Sequence, residues 1–274
     1  MERSYPRVTV SKKCERFIKG GHIWVYHDEI SAVDGAYENG DIVDVFTEKG
    51  RYLGSGYIND HSKIRVRIIS KNANDRFDEA FYRRRIDYAI DYRQTVMGED
   101  FSSCRLIFGE ADGFPGLTVD KFEDVLVAQV LSLGTERVKD MIFRNIVLSL
   151  RERGYEVSAI YERNDVKVRE LEGMEQYTGF YRMEGLSDDL GGEVDITENG
   201  IRYTVDYING QKTAMIKESD LFFRICFTNC DFGFYSNLIS AYRDNIEAMS
   251  EEIADRLNRQ LDELELNYKY EWGI

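Results

Sequence analysis

Proline, cysteine and histidine are scarce in this sequence of 274 residues, which contains two, four and three of them respectively. The scarcity of proline beside 22 glycines, 18 tyrosines and 15 phenylalanines indicates a strand-rich structure with glycine turns. The cysteines are scattered, which predicts reduced thiols and a cytoplasmic protein. Cys226 and Cys230 are separated by three residues, but no second pair or histidine lies near them, so no metal site is predicted.

Long apolar runs are also missing from the sequence. No stretch approaches the roughly 18 consecutive apolar residues of a membrane span, so no membrane partner is predicted. The first ten residues carry Glu2, Arg3 and Arg7 without an apolar core, which does not resemble a secretory signal. A hydrophobic fraction of 43% and a charged fraction of 31% are typical of globular proteins. The length allows one large domain or two to three small ones.

Positive charge is in deficit, since the formal net charge is −14. This excess of carboxylates repels nucleic acid from the molecule as a whole. The distribution is uneven, however, because residues 1–72 contain 12 Lys and Arg against 10 Asp and Glu. A polyanion site is therefore expected within the first quarter of the chain.

The first 72 residues contain short alternating polar and apolar runs, which predict strands of a small barrel. The clearest runs are Asp41–Phe46 and Lys63–Ile69, and Gly54 and Gly56 between them supply turn or bulge positions. Lys12–Lys19 is predicted to form one short helix that Gly20 and Gly21 close.

A mixed pattern of helices and strands follows between residues 73 and 190. Apolar spacing predicts helices over 75–97 and 135–153, which end at Gly98 and Gly154, with Thr135 as the N-cap of the second. The order of the strands and helices predicts a small α+β layer rather than a doubly wound parallel sheet. The predicted strands are Cys104–Phe108, Leu117–Val119, Val125–Leu131 and Val157–Tyr161.

A hairpin and a helical tail complete the predicted fold. Residues 193–198 and 201–206 flank Asn199-Gly200, the dipeptide that a tight hairpin turn prefers. From Leu238 onwards, apolar residues recur every three or four positions as far as Leu264, which predicts one long amphipathic helix. The predicted class is α+β, with a barrel over 1–72, an α+β domain over 73–190, a hairpin or linker over 191–213 and a helical tail over 214–274.

Several of these stretches together resemble one protein family. The resemblance is to the PUA-containing, S-adenosylmethionine-dependent 23S ribosomal RNA cytosine-5 methyltransferases, of the large-subunit methyltransferase I type, and covers about residues 5–213. It is strongest in the twelve residues from Gly109 to Asp120. The stretches that carry it are Gly21–Tyr26, Gly54–Tyr57, Ile64–Arg67, Gly109–Asp120, Tyr161–Asp165, Val168–Gly173, Glu198–Tyr203 and Gly210–Thr213.

The resemblance implies an N-terminal PUA barrel, ribosomal RNA as the partner and methyl transfer by a catalytic cysteine in a C-terminal Rossmann-like domain. After Thr213 the sequence departs from the family pattern, and 61 residues remain. A cofactor site of this type requires a glycine-rich turn, but only Gly233 lies between Gly210 and Gly273. No cofactor and no catalytic residue are therefore expected in this chain, which is interpreted as a shortened, RNA-facing relative.

Three cations on one predicted strand are the first RNA-binding candidates. Lys63, Arg65 and Arg67 alternate with apolar residues and so project to one face, about 6.6 Å apart, a spacing suited to successive phosphates. A solvated strand face is the alternative for the same pattern.

The short helix supplies the second group of candidates. Lys12, Arg16 and Lys19 share one side of it, and Gly20 and Gly21 either permit close approach of RNA or simply end the helix. His22 is the remaining candidate for base stacking.

Other residues are assigned structural roles by the same reasoning. Trp24 is expected in the barrel core rather than at a base. Glu110 and Asp112 lie among glycines and are interpreted as parts of a turn rather than as paired catalytic carboxylates. Residues 83–85, three successive arginines, are interpreted as an exposed helix face.

The sequence is compatible with three functions. The first is an RNA-binding relative of the methyltransferases without methyl transfer of its own. The second is a subunit of a split methyltransferase that is completed by another chain. The third is a non-enzymatic interaction protein that forms a homodimer through its tail helix.

Overall fold

The computed structural model describes residues 4–198 and 201–210, together with the backbone of two short strands at 216–218 and 221–223. The predicted tail helix from Leu238 lies outside these residues. The strands are Arg7–Val10 (β1), Trp24–Tyr26 (β2), Ile30–Asp34 (β3), Ile42–Thr47 (β4), Tyr52–Ile58 (β5), Ile64–Ser70 (β6), Ser103–Phe108 (β7), Leu117–Phe122 (β8), Val125–Val130 (β9), Ala159–Asn164 (β10), Tyr177–Phe180 (β11), Glu193–Glu198 (β12), Ile201–Asp206 (β13), Ile216–Glu218 (β14) and Leu221–Phe223 (β15). The α-helices are Lys12–Lys19 (α1), Glu79–Met97 (α2), Leu133–Glu152 (α3) and Val168–Leu171 (α4).

The first six strands form one curled, barrel-like sheet in the order β2-β6-β5-β4-β1-β3. β1 and β4 pair in parallel, whereas the other pairs are antiparallel. Its core collects the inward side chains of alternating strand positions and the buried side of α1, namely Val8, Val10, Cys14, Ile18, Val25, Val43, Val45, Leu53, Ile58, Val66 and Ile68. The observed strands β4 and β6 each begin one residue later than predicted.

The glycines of β5 lie within a strand rather than in a turn. The pairing of β5 with β6 shifts between Ser55 and Gly56, which is the bulge that the sequence left as one alternative. A Cβ atom at Gly56 would overlap the backbone carbonyl of Arg67. Glycine is therefore required here by the close approach of two strands.

The second sheet has five strands in the order β11-β10-β9-β8-β7. β9 and β10 are parallel and connected through α3, whereas the other pairs are antiparallel. Helices α2 and α3 pack on one face through Phe81, Ile86 and Phe143, which share a core with Leu106 and Leu117. The prediction of a mixed helix and strand layer is confirmed at this coarse level.

The other face of this sheet is covered by the predicted hairpin. β12 and β13 pair from Glu193↔Asp206 to Glu198↔Ile201, which leaves two residues for the turn. Ile196, Val205 and Tyr207 pack against Val127 and Tyr161 of the central sheet. The hairpin thus forms the third layer, and β14 and β15 extend its sheet.

Both long helices begin elsewhere than the sequence predicts. α2 begins at Glu79 rather than at residue 75, because the Asp78 side chain accepts a hydrogen bond from the backbone N–H of Phe81. α3 begins two residues before the predicted N-cap Thr135. The Thr135 hydroxyl instead donates to the carbonyl of Pro115 at 2.8 Å, so this contact anchors the helix to the loop between β7 and β8.

The barrel-like sheet and the central sheet share a packed boundary. Tyr57 of β5 belongs to the core of the central layer rather than to the barrel core. Its ring covers the backbone of Gly134 so closely that a Cβ atom there would overlap it. Its hydroxyl lies 2.6 Å from the hydroxyl of Tyr82 on α2. These contacts join β5 of the barrel-like sheet to α2 and α3.

Candidate nucleic-acid interface

The end of α1 determines the shape of the candidate interface. The backbone N–H of His22 donates to the carbonyl of Phe17 at 3.0 Å, and that of Gly21 donates to the carbonyl of Ile18 at 3.1 Å. This pair of bonds is a Schellman motif, which requires a left-handed residue after the helix, and Gly21 has φ of 107°. Gly20 and Gly21 are exposed and end the helix, which is one of the two roles expected for them.

Four aromatic side chains lie together beyond this helix end. Phe17 and His22 meet at 6.4 Å between ring centroids, as the Schellman geometry favours. His22 also lies 5.8 Å from Trp24 and 6.3 Å from Tyr26, with which it is nearly parallel. We call Phe17, His22, Trp24 and Tyr26 the aromatic surface.

The aromatic surface faces away from the barrel core because of strand alternation. Val25 points into the core and is fully buried, so its neighbours Trp24 and Tyr26 point outward and are half-buried. The expectation that Trp24 lies in the core is therefore wrong. Phe17 is 43% exposed, which is unusual for a large apolar side chain on a short helix.

Cations of α1 border the aromatic surface. Lys12, Lys13 and Arg16 are exposed and, among the residues that the structure describes, form no ion pair. The charged groups of Lys13 and Arg16 lie 5.8 and 5.9 Å from the ring centroid of Phe17. Lys19 instead pairs with Glu15, and its hydrogen bond lowers the pKa of that carboxyl. Three of these cations are thus free to meet an anionic ligand.

The three cations of the predicted row, at residues 63, 65 and 67, have different surroundings in the structure. Lys63 is exposed and has no carboxylate partner within the described part of the chain. Arg65 donates to Asp60 at 2.7 Å and to the hydroxyl of Tyr37 at 2.9 Å. Although burial opposes it, these two hydrogen bonds raise the pKa of Arg65.

Arg67 is held inside the boundary between the two sheets. Its Nη2 lies 2.7 Å from Oε1 of Glu172, and its Nη1 lies 3.5 Å from Glu110. Glu172 is almost fully buried and also accepts from the amide of Asn59 at 2.9 Å. The expectation of three equivalent phosphate-binding cations is therefore corrected, because Arg67 serves a buried ion pair.

The turn at residues 109–112 contains two carboxylates. Their contacts stabilise this boundary and are not those of a catalytic carboxylate pair. The indole N–H of Trp24 donates to Glu110 at 3.3 Å. Asp112 accepts two hydrogen bonds from Arg93, at 3.0 and 2.6 Å, and a third from the backbone of Phe108. The interpretation of this segment as a turn is therefore confirmed.

The three arginines of α2 differ in their surroundings. Arg83 pairs with Asp87 and Glu152, and the side chain of Arg84 is 48% exposed. Arg85 is not part of an exposed face, because its Nη1 donates to the carbonyl of Gly113 and burial lowers its pKa. The interpretation of 83–85 as one exposed face is therefore wrong for Arg85.

The sequence did not single out Lys13, Phe17 and Tyr26. Phe17 immediately precedes the buried Ile18, and an apolar residue at this position carries no sequence signal of exposure. Tyr26 shares the outward side of β2 with Trp24. The alternation of side chains along this strand was the one sequence signal that could have identified Tyr26.

No group of three or more metal-ligating side chains occurs among the described residues. Within the same residues, no helix is long and apolar enough to cross a membrane.

Known proteins share parts of this sequence. Residues 8–71 match the model of a PUA-like domain. The chain is 33% identical over 208 residues to a "Ribosomal RNA large subunit methyltransferase I" of Aliivibrio fischeri, covering 76% of this chain and 50% of the relative. The proteins of the same name from Pseudoalteromonas atlantica and Shewanella denitrificans are 35% and 36% identical, over 76% of this chain and 50% and 51% of theirs. The chain thus spans about half the length of these relatives.

Solved structures agree with the fold. A Streptococcus mutans protein described as a SAM-dependent methyltransferase superposes with a TM-score of 0.58 and 17% identity, over 76% of this chain and 50% of the other. SMU.776, described as a methyltransferase and complexed with SAH, gives a TM-score of 0.59 at 17% identity, over 76% and 49%. The chain therefore carries a PUA-like domain at residues 8–71 and is similar, over three quarters of its length, to ribosomal RNA large subunit methyltransferases.

Proposed function

We propose that this chain binds single-stranded RNA through the aromatic surface and the cations beside it. One observation carries the proposal, namely that exposed rings lie against cations without carboxylate partners in the described residues. Every base offers a π-face to an aromatic ring, and Lys and Arg neutralise the phosphates. His22 and Phe17 are the stacking residues in this proposal, and Lys12, Arg16 and Lys63 are the main phosphate contacts.

The remaining predicted residues have supporting roles in the proposal. Lys19 and Arg65 each retain a carboxylate partner, so they contribute less to phosphate binding. Gly20 and Gly21 leave the approach to His22 open, since a Cβ atom at Gly21 would meet nothing within 4 Å.

The RNA in this proposal is ribosomal. The support is that the similar proteins are named ribosomal RNA methyltransferases and that residues 8–71 match a PUA-like domain. We further propose that the 274-residue chain by itself does not transfer methyl groups, because residues 211–272 contain a single glycine, Gly233. Calorimetric titration with S-adenosylmethionine tests this point, and measurable binding would contradict it.

RNA binding is tested by fluorescence anisotropy with a labelled single-stranded RNA. Phe17→Ala removes an exposed ring without opening the core and is expected to weaken binding by about 5-fold or more. The triple variant Lys12→Ala, Arg16→Ala, Lys63→Ala is expected to reduce the salt slope of log Kd by up to about 2, since each single-strand phosphate contact contributes about 0.7.

A control of equal charge uses three cations of the central layer, of which Arg144 and Arg182 have the carboxylate partners Glu79 and Asp188. Arg144, Lys167 and Arg182 are exposed and lie outside the barrel-like sheet, so their replacement by Ala changes the net charge equally. If both triple variants weaken binding to the same extent, general electrostatics rather than this surface binds RNA, and the proposal fails.

A further inference from the structure

A cleft lies beside the aromatic surface, between the barrel-like sheet and the central layer. Its volume is about 630 Å³. We call it the junction cleft, and its walls come from the end of β6 with the following loop, from α2 and from the turn after β7. The residues that form these walls and enter the argument are Ile23, Lys71, Arg84, Arg85, Tyr88 and Glu110.

The junction cleft begins where the aromatic surface ends. Ile23, which lines the cleft, lies between His22 and Trp24 in the chain. Glu110, another wall residue, accepts a hydrogen bond from the indole N–H of Trp24. The ammonium group of Lys71 donates to the carbonyl of Ile18 in the last turn of α1 at 2.8 Å. An RNA strand that leaves the aromatic surface in this direction would therefore enter the cleft.

The charges of the cleft suit a polyanion. Lys71, Arg84 and Arg85 supply three cations to the walls. The carboxylates are occupied, since Asp112 is paired bidentately with Arg93 and Glu110 lies beside Arg67. The remaining carboxylate, that of Asp75, accepts hydrogen bonds from Ser70 at 2.6 Å and Asn72 at 3.1 Å. Its charged partner among the wall residues is Arg84, at 3.5 Å.

Tyr88 supplies a free aromatic face at the edge of the cleft. It is 65% exposed, although it lies on a helix whose neighbouring turns are packed into the core. Arg84 is four residues earlier on α2 and therefore lies on the same side of the helix. The Arg84 contact with Asp75 is long, at 3.5 Å, so its guanidinium is available to a phosphate. A ring can stack on a base and a cation can neutralise a phosphate, so this pair can bind one nucleotide.

We propose that the junction cleft continues the RNA path and holds the nucleotides next to those on the aromatic surface. Tyr88 stacks on a base, and Arg84 contacts the adjoining phosphate. The inference rests on the proposed function, and it extends the RNA path from the barrel to the central layer.

Two oligonucleotide lengths separate the two proposals. The probes are labelled oligouridines of about 4 and about 12 nucleotides, within the range of single-strand binding sites. The variants are Tyr88→Ala for the cleft, Phe17→Ala for the aromatic surface, and Tyr92→Ala as the matched control. Tyr92 lies one turn further along α2, is 60% exposed and does not line the cleft.

Tyr88→Ala is expected to weaken binding of the longer RNA by about 5-fold or more and to leave the shorter RNA within about 2-fold, whereas Tyr92→Ala leaves both within about 2-fold. A photocrosslink from a 4-thiouridine version of the longer RNA to Tyr88 would support the same contact. If Phe17→Ala weakens the binding of both probes and Tyr88→Ala weakens the binding of neither, the cleft assignment is overturned and the proposed function stands. Equal losses for Tyr88→Ala and Tyr92→Ala would also overturn it. If Phe17→Ala changes neither probe, the proposed function fails and the inference fails with it.

Discussion

Replacement of Arg67 by Ala separates a structural role from an RNA-binding role. The sequence places Arg67 in a row of phosphate-binding cations, whereas the structure places it between the two sheets. Only 12% of its side chain is exposed, and its partner Glu172 is 3% exposed. The change Arg67→Ala removes the guanidinium and leaves the carboxylate of Glu172 buried.

The expected loss follows from the burial of this carboxylate. Removal of one partner from a buried ion pair costs about 3–5 kcal/mol, because the other charge remains without compensation. Glu172 keeps the hydrogen bond from Asn59, so the lower end of that range, about 3 kcal/mol, is expected. For a chain of this size, about 3 kcal/mol corresponds to a fall of roughly 6–12 °C in Tm.

Differential scanning calorimetry and urea unfolding measure this effect, and Lys63→Ala is the matched control. Lys63 precedes the first residue of the same strand and is exposed, so its loss is expected to change the unfolding free energy by less than about 0.5 kcal/mol. The double variant Arg67→Ala, Glu172→Ala should be less destabilised than the sum of the single variants. An unchanged Tm for Arg67→Ala, together with weaker RNA binding, would refute the reasoning and restore the role predicted from the sequence.

Two further predictions concern stability. Gly134→Ala is expected to destabilise the fold by about 1–3 kcal/mol in urea unfolding, because the new methyl group overlaps the ring of Tyr57. Gly191→Ala, where a Cβ atom would meet nothing within 4 Å, is its control, and equal losses would contradict the argument. Burial raises the pKa of Asp87, but hydrogen bonds from Ser149 and Arg83 more than offset this and hold it below its usual value. The stability that Asp87 contributes is therefore present above the unfolded pKa of about 3.9 and is lost as the pH falls through the lower folded value. Asp87→Asn should flatten the fall of Tm between about pH 5 and pH 2, and an unchanged slope would exclude this carboxylate as its cause.

Much of the local structure was predictable because it depends on neighbouring residues. The bounds of α1 were predicted correctly, since its charged and apolar residues and the following glycines specify a short capped helix. The hairpin of β12 and β13 was also predicted, because its turn dipeptide and alternating strands are local signals. Helix starts were predicted less well, since the hydroxyl of Thr135 makes a contact with Pro115, 20 residues away.

The candidate site was predicted only in part. Lys12, Arg16 and His22 are candidates from the sequence, and all three are exposed in the structure. Phe17 and Tyr26 were missed, because an apolar or aromatic residue in a small barrel is more often part of the core. Whether such a ring is buried depends on what covers it, and no segment of described residues covers these two fully.

The small barrel, the mixed central layer, the hairpin and the positive balance of the first 72 residues can all be inferred without a structure. Each of these depends on composition, alternation or short-range turn chemistry. By contrast, the outward position of Trp24 and the pairing of Arg67 with Glu172, 105 residues away, depend on how distant segments pack. A residue type fixes which partners a side chain accepts, but the packing of distant segments decides which partner it finds, and therefore which cations remain free for a ligand.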